Sequence, residues 1–137
     1  MPSLSTIIPR LAAADRETRL QTLLEYSRKL PELPERFAAA RREGAGRVPE
    51  CQTPVHLFVE VTAGRVALHA DVPRESPTVR GFLALLIRSL DGAGTADVAA
   101  IPDDLLHRTG LAGDLGLTRT QGLDAILRRV KREVAAA

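Results

Sequence analysis

Val55-His56-Leu57-Phe58-Val59-Glu60-Val61-Thr62-Ala63-Gly64-Arg65-Val66-Ala67-Leu68-His69-Ala70-Asp71 is the stretch that decides the fold. Val55, Leu57, Val59 and Val61 alternate with His56, Phe58 and Glu60; after the turn Thr62-Ala63-Gly64-Arg65, Val66, Leu68 and Ala70 alternate with Ala67, His69 and Asp71. Successive side chains of a strand point to opposite faces, so the pattern predicts an antiparallel hairpin with one apolar face. With Ala63-Gly64 at the tip, His56 stands opposite Asp71 and Phe58 opposite His69.

Outward from the hairpin, the chain reads as helices. Ser76-Pro77 supplies an N-cap and a proline at the first helical position. Val79, Phe82, Leu83, Leu86, Ile87 and Leu90 then form an amphipathic stripe that covers the apolar face of the hairpin, and Gly92 ends it. Upstream, Asp15 caps a helix over Arg16 to Leu30, which Pro31 and Pro34 stop. Phe37 to Arg42 adds a turn or two. Downstream, short helices are expected near Ala96–Ala100 and Asp103–Thr109, then a loop over Gly110–Gly116. Thr118-Arg119-Thr120-Gln121 fits a capping box for a last helix whose stripe is Leu123, Ile126, Leu127, Val130 and Val134. The expected class is α+β, a small antiparallel sheet covered by helices on one face, in one domain spanning 1–137 whose first 14 residues are loosely ordered.

Composition narrows the function. The net charge is +2, the basic residues are scattered, and no aromatic residues interleave with them to stack bases, so nucleic acid is not an expected partner. No apolar run approaches the roughly 20 residues that cross a bilayer. The N-terminus has neither the basic region nor the continuous apolar core of a signal peptide. A lone cysteine makes no intrachain disulfide. The cytoplasm is therefore the expected compartment.

That cysteine lies in Pro49-Glu50-Cys51-Gln52-Thr53-Pro54, entered through Glu43-Gly44-Ala45-Gly46. A free cysteine is usually a small buried hydrophobe, but these polar neighbours predict a thiol projecting at the surface. The residue types alone leave a reactive and a structural thiol both open. A metal site is not expected, because three histidines and one cysteine lack ligand spacing. His56 and His69 read as polar residues of the outer sheet face, and His107 has no recognisable partner. Gly110, Gly113 and Gly116 match no phosphate loop. Asp103-Asp104 read as first-turn residues of a helix. Arg119, in the first turn of the last helix, adds positive charge where unsatisfied N–H groups already attract anions, and so favours a nearby anionic sulfur.

Cys51-Gln52-Thr53-Pro54-Val55 resembles the Gly-Cys-Gln-Ser-x-Val signature of the SufE family of sulfur acceptors. Three further stretches resemble that family in order: Arg28-Lys29-Leu30-Pro31-Glu32-Leu33-Pro34 its Leu-Pro helix end, Val79-Arg80-Gly81-Phe82 the start of its central helix, and Leu117-Thr118-Arg119-Thr120-Gln121-Gly122-Leu123 its closing region. Glu50 replaces the glycine before the cysteine, and Pro54 and His56 depart from the usual polar residue and tryptophan.

The resemblance implies the fold shared with iron–sulfur scaffold proteins, although one cysteine cannot hold a cluster as those scaffolds do. It implies a protein that stimulates a pyridoxal-phosphate cysteine desulfurase, takes its persulfide sulfur onto Cys51 and relays it to an iron–sulfur assembly scaffold. Gln52 would position the loop, Arg119 would assist the anionic sulfur or docking, and no cofactor of its own is needed, the pyridoxal phosphate belonging to the desulfurase. The competing reading is a one-cysteine thiol redox enzyme such as a peroxidase or reductase.

Overall fold

The structure, a computed structural model, describes residues 3–137. Ten elements follow in chain order: α1 (Leu4–Ala13), α2 (Arg16–Ser27), α3 (Glu35–Arg42), β1 (His56–Thr62), β2 (Arg65–Asp71), α4 (Pro77–Leu90), α5 (Thr95–Ala99), α6 (Leu105–Arg108), α7 (Leu111–Leu115) and α8 (Leu117–Ala136).

β1 and β2 pair antiparallel in the register expected, His56 opposite Asp71 and Phe58 opposite His69. Ala63 and Gly64 form the two-residue tip with φ of 52° and 75°. Positive φ at both central positions matches the twist of the flanking strands. The hairpin edges are not bare. Gly46 and Val48 bond alongside β1, through Leu57 N–H to Gly46 O (2.8 Å) and Val48 N–H to Val55 O (3.0 Å). On the other side Val66 N–H donates to Ala93 O and Gly92 N–H to Val66 O. Covering both edges removes the exposed pairing groups of an isolated hairpin.

α4 is the central helix. The stripe explains only one of its faces: Gly81 through Ile87 are buried without interruption, because α2 packs on one side and β2 on the other. Pro77 starts it, but the Ser76 side chain makes no cap bond. Asp15 does cap α2, accepting from Thr18 N–H at 2.8 Å. α2 ends at Ser27, before the prolines, where the Ser27 hydroxyl donates to Leu24 O.

Further expectations are corrected. Residues from Leu4 onward are an ordered helix, because Leu4, Ile7 and Leu11 bury one stripe and burial outweighs the cost of Pro9 inside it; Met1 and Pro2 lie outside the described residues. The Gly110–Gly116 loop contains helix α7. The capping box over Thr118–Gln121 does not form: the N-cap lies two residues earlier, at Gly116 with φ 82°, α8 begins at Leu117, and no side chain caps it. The outer sheet face is also partly covered, since α3 lays Phe37 on Phe58 at 4.7 Å and pairs Arg36 with Glu60 and Arg41 with Asp71.

Candidate functional site

The cysteine loop leaves the sheet edge at Val48 and rejoins it at Val55, and both valines are fully buried. Those two side chains pin the loop ends in the core. Between them Cys51 N–H donates to Val48 O (3.2 Å) and Val55 N–H to Thr53 O (2.8 Å), so the tip is a tight turn. Pro49, Glu50, Gln52 and Pro54 are exposed, and Cys51 alone turns inward, 5% exposed. The polar neighbours predicted a surface thiol; the structure places it in the core cluster. What draws it in lies on other elements. Val79 at the start of α4 and Gly122 in the second turn of α8 make an apolar floor.

Gly122 explains the closeness of that floor. A Cβ at this position would lie 3.3 Å from Cys51 Sγ and 3.5 Å from its Cα. A mid-helix glycine costs helix stability, so its presence points to a close approach. Sequence reasoning did not assign Gly122, Val79, Ser76 or Thr53 to the site; a glycine inside a helical stripe was the one available signal.

Cys51, Gln52, Thr53, Ser76, Val79, Thr118, Arg119 and Gly122 line one cavity of about 130 Å³. Cys51, Gln52 and Arg119 thus come together from two segments far apart in the chain. α8 presents its N-terminus there: the first intrahelical bond runs from Thr120 N–H to Gly116 O, leaving the preceding N–H groups without helical partners. Arg119 is exposed and has no ion pair among the described residues. Next to it Leu117 is 75% exposed. The cavity therefore has an apolar floor, a thiol, a helix N-terminus and one guanidinium. Anionic sulfur is the species such walls favour.

The histidines lie elsewhere. His69 contacts Glu60 at 2.8 Å on the outer sheet face. His56, at the start of β1, has its Nδ1 buried without a partner, and burial, with Arg41 nearby, holds its pKa below the ordinary imidazole value. His107 is exposed on α6. Asp103 and Asp104 pair with Lys131 and Arg108 rather than with each other. Among the described residues no three His, Cys, Asp or Glu groups cluster as a metal ion requires, and no helix is long and apolar enough to cross a membrane.

Fold and site define a small α+β protein whose single thiol is folded back against a helix start. The chain belongs to the SufE family: residues 5–134 match the family model described as an Fe-S metabolism associated domain. It is 37% identical over 98% of its length to an uncharacterized SufE-like protein of Mycobacterium tuberculosis, covering 92% of that relative. It is 32% identical to the sulfur acceptor protein CsdE of Escherichia coli, over 80% of this chain and 72% of CsdE. The solution structure of a hypothetical protein from Thermus thermophilus superposes with a TM-score of 0.84, at 33% identity, covering 100% of this chain and 98% of that one.

Proposed function

We propose that this protein accepts sulfane sulfur on Cys51 from a pyridoxal-phosphate cysteine desulfurase, stimulating it, and relays the sulfur to an iron–sulfur assembly scaffold in the reducing cytoplasm. The observation that carries the reading is the enclosure of the lone thiol in a cavity of about 130 Å³ beside the α8 N-terminus. Pockets that take small-molecule ligands usually exceed about 300 Å³. This one suits a sulfur atom added to Cys51. Membership of the SufE family and similarity to a sulfur acceptor support the same reading.

The chemistry is an exchange without net oxidation. The Cys51 thiolate attacks the terminal sulfur of the donor persulfide, a new S–S bond forms, the donor's S–S bond breaks, and the donor cysteine leaves as a thiolate. The loop must swing out for that attack and fold back with its cargo. Its ends are pinned by Val48 and Val55, so motion is confined to the tip between them. On return, an anionic persulfide meets the helix N-terminus and Arg119, and the apolar floor keeps water and oxidants away.

Incubating the protein with a desulfurase and cysteine should add the mass of one sulfur atom to the intact chain. Cys51→Ser should abolish the adduct and the stimulation of turnover while leaving the folded circular dichroism spectrum nearly unchanged, because an alcohol neither attacks nor carries the sulfur. An adduct on the serine variant would overturn the assignment.

A further inference from the structure

The retracted thiol needs something to hold its loop shut. The buried valines fix the ends, not the tip. The residue that spans the loop is Arg47. Its Nη1 donates to Val48 O at 3.1 Å and to Thr53 O at 3.0 Å, so one guanidinium nitrogen ties the outgoing leg of the loop to the returning leg. The backbone beneath it is itself held. Arg129 of α8 donates to Arg47 O, and Arg129 is braced by Glu133 at 2.9 Å. The line of support runs from the long C-terminal helix to Arg47, and from Arg47 across the loop that carries Cys51.

We propose that Arg47 is a positioning residue, a latch that keeps the cysteine loop closed until a docking partner opens it. The inference rests on the sulfur-acceptor reading and adds the element that governs access to the thiol. Three features separate a latch from an ordinary surface arginine. Both acceptors are main-chain carbonyls of the loop itself, so the bonds report loop geometry rather than a neighbouring side chain. No carboxylate pairs with Arg47 among the described residues, which leaves its hydrogen bonds committed to the loop. Of the other tip contacts, the two local bonds of Cys51 and Val55 travel with the loop when it swings, and only a long one, from Thr53 Oγ1 to Ser76 Oγ at 3.4 Å, reaches another segment. Breaking the Arg47–Thr53 bond is therefore a required step of opening.

The test uses the isolated full-length protein. Arg47→Ala should raise the rate of Cys51 alkylation by iodoacetamide roughly tenfold, the scale expected when a hydrogen-bonded closure is lost. Amide hydrogen exchange should speed up at Cys51 and Gln52 while Leu83 and Ile126 stay protected. Arg47→Lys should recover part of the protection, since an ammonium reaches the same carbonyls without the planar fork. An unchanged alkylation rate in Arg47→Ala overturns the proposal. So does an acceleration matched by faster exchange at Leu83 and Ile126, which would make Arg47 a general structural support. Neither readout involves a desulfurase. A wild-type protein that never gains sulfur from the enzyme would remove the acceptor reading while the latch measurements still stood.

Discussion

At Gly122 the missing side chain is what admits the sulfur. An alanine there gains about 1 kcal/mol of helix propensity, but its Cβ lies 3.3 Å from Sγ, tighter than an ordinary contact. Gly122→Ala should therefore melt within a few degrees of wild type while Cys51 is displaced and alkylates faster; a wild-type alkylation rate would mean the cavity has slack. Arg119 differs in kind. It is exposed and unpaired among the described residues, so Arg119→Ala should change stability by no more than about 0.5 kcal/mol. Its effect should be electrostatic: slower sulfur uptake from the desulfurase, and a larger loss of rate with iodoacetate than with neutral iodoacetamide. Equal losses with both reagents would reduce Arg119 to a solvated helix residue. Cys51 and Arg119 were legible as candidates from residue type and position, and Gln52 through the family resemblance. The inward turn of Cys51 was not, because its immediate neighbours are all polar and the apolar surface it meets comes from Val79 and Gly122.

Among the elements, α4 depends on a second glycine. A Cβ on Gly81 would lie 2.2 Å from the Leu23 carbonyl oxygen, which is backbone and cannot rotate away. Gly81→Ala must push α2 off α4. The cost should be about 1–3 kcal/mol, read as a lower urea midpoint at unchanged slope; an unshifted midpoint would show that the helices separate freely. The long elements were readable because their periodicity is local: alternation with a two-residue turn specifies the hairpin and its register, and the stripe specifies α4. Short ones were not. α7 has five residues between two glycines, too few to show a period. Thr118 and Gln121 had the spacing of a capping box, yet the extended, positive-φ conformation at Gly116 starts the helix earlier, and spacing cannot reveal that conformation.

Across the whole molecule, one part-buried ion pair ties distant parts together. Arg19 of α2 grips Asp114 of α7 through Nε–Oδ2 (2.6 Å) and Nη2–Oδ1 (3.0 Å), and the same guanidinium donates to Ala14 O after α1. The Arg19 hydrogen bonds hold the Asp114 carboxyl below its ordinary pKa, despite burial. A folded-state pKa below the unfolded one stabilises above about pH 4 and is lost as pH falls through the folded value. Asp15, Glu60 and Asp103 are lowered in the same direction by Thr18, Arg36 and Lys131, and, being more open to solvent than Asp114, contribute less. His56 acts earlier. Its folded pKa is depressed by burial, so below about pH 6.5 the unfolded chain takes up the proton first and stability declines. The urea midpoint should therefore fall in two stages on acidification, His56→Gln removing the first and Asp114→Asn weakening the second. An Asp114→Asn protein with the wild-type acid limb would show that the ion pair does not govern acid unfolding.

Local pattern specifies the hairpin, its register, the bodies of the central and last helices, and the loop that carries the only thiol, because each has a period or a spacing that can be read along the chain. Tertiary structure alone decided how the thiol is kept. Cys51 is buried because Val79 and Gly122 arrive from α4 and α8, Arg119 faces it because α8 begins at that cavity, and α1 is ordered because its three apolar residues find a core to enter. Burial and field strength depend on which surfaces meet, and residues far apart in a chain carry no local pattern that records their meeting.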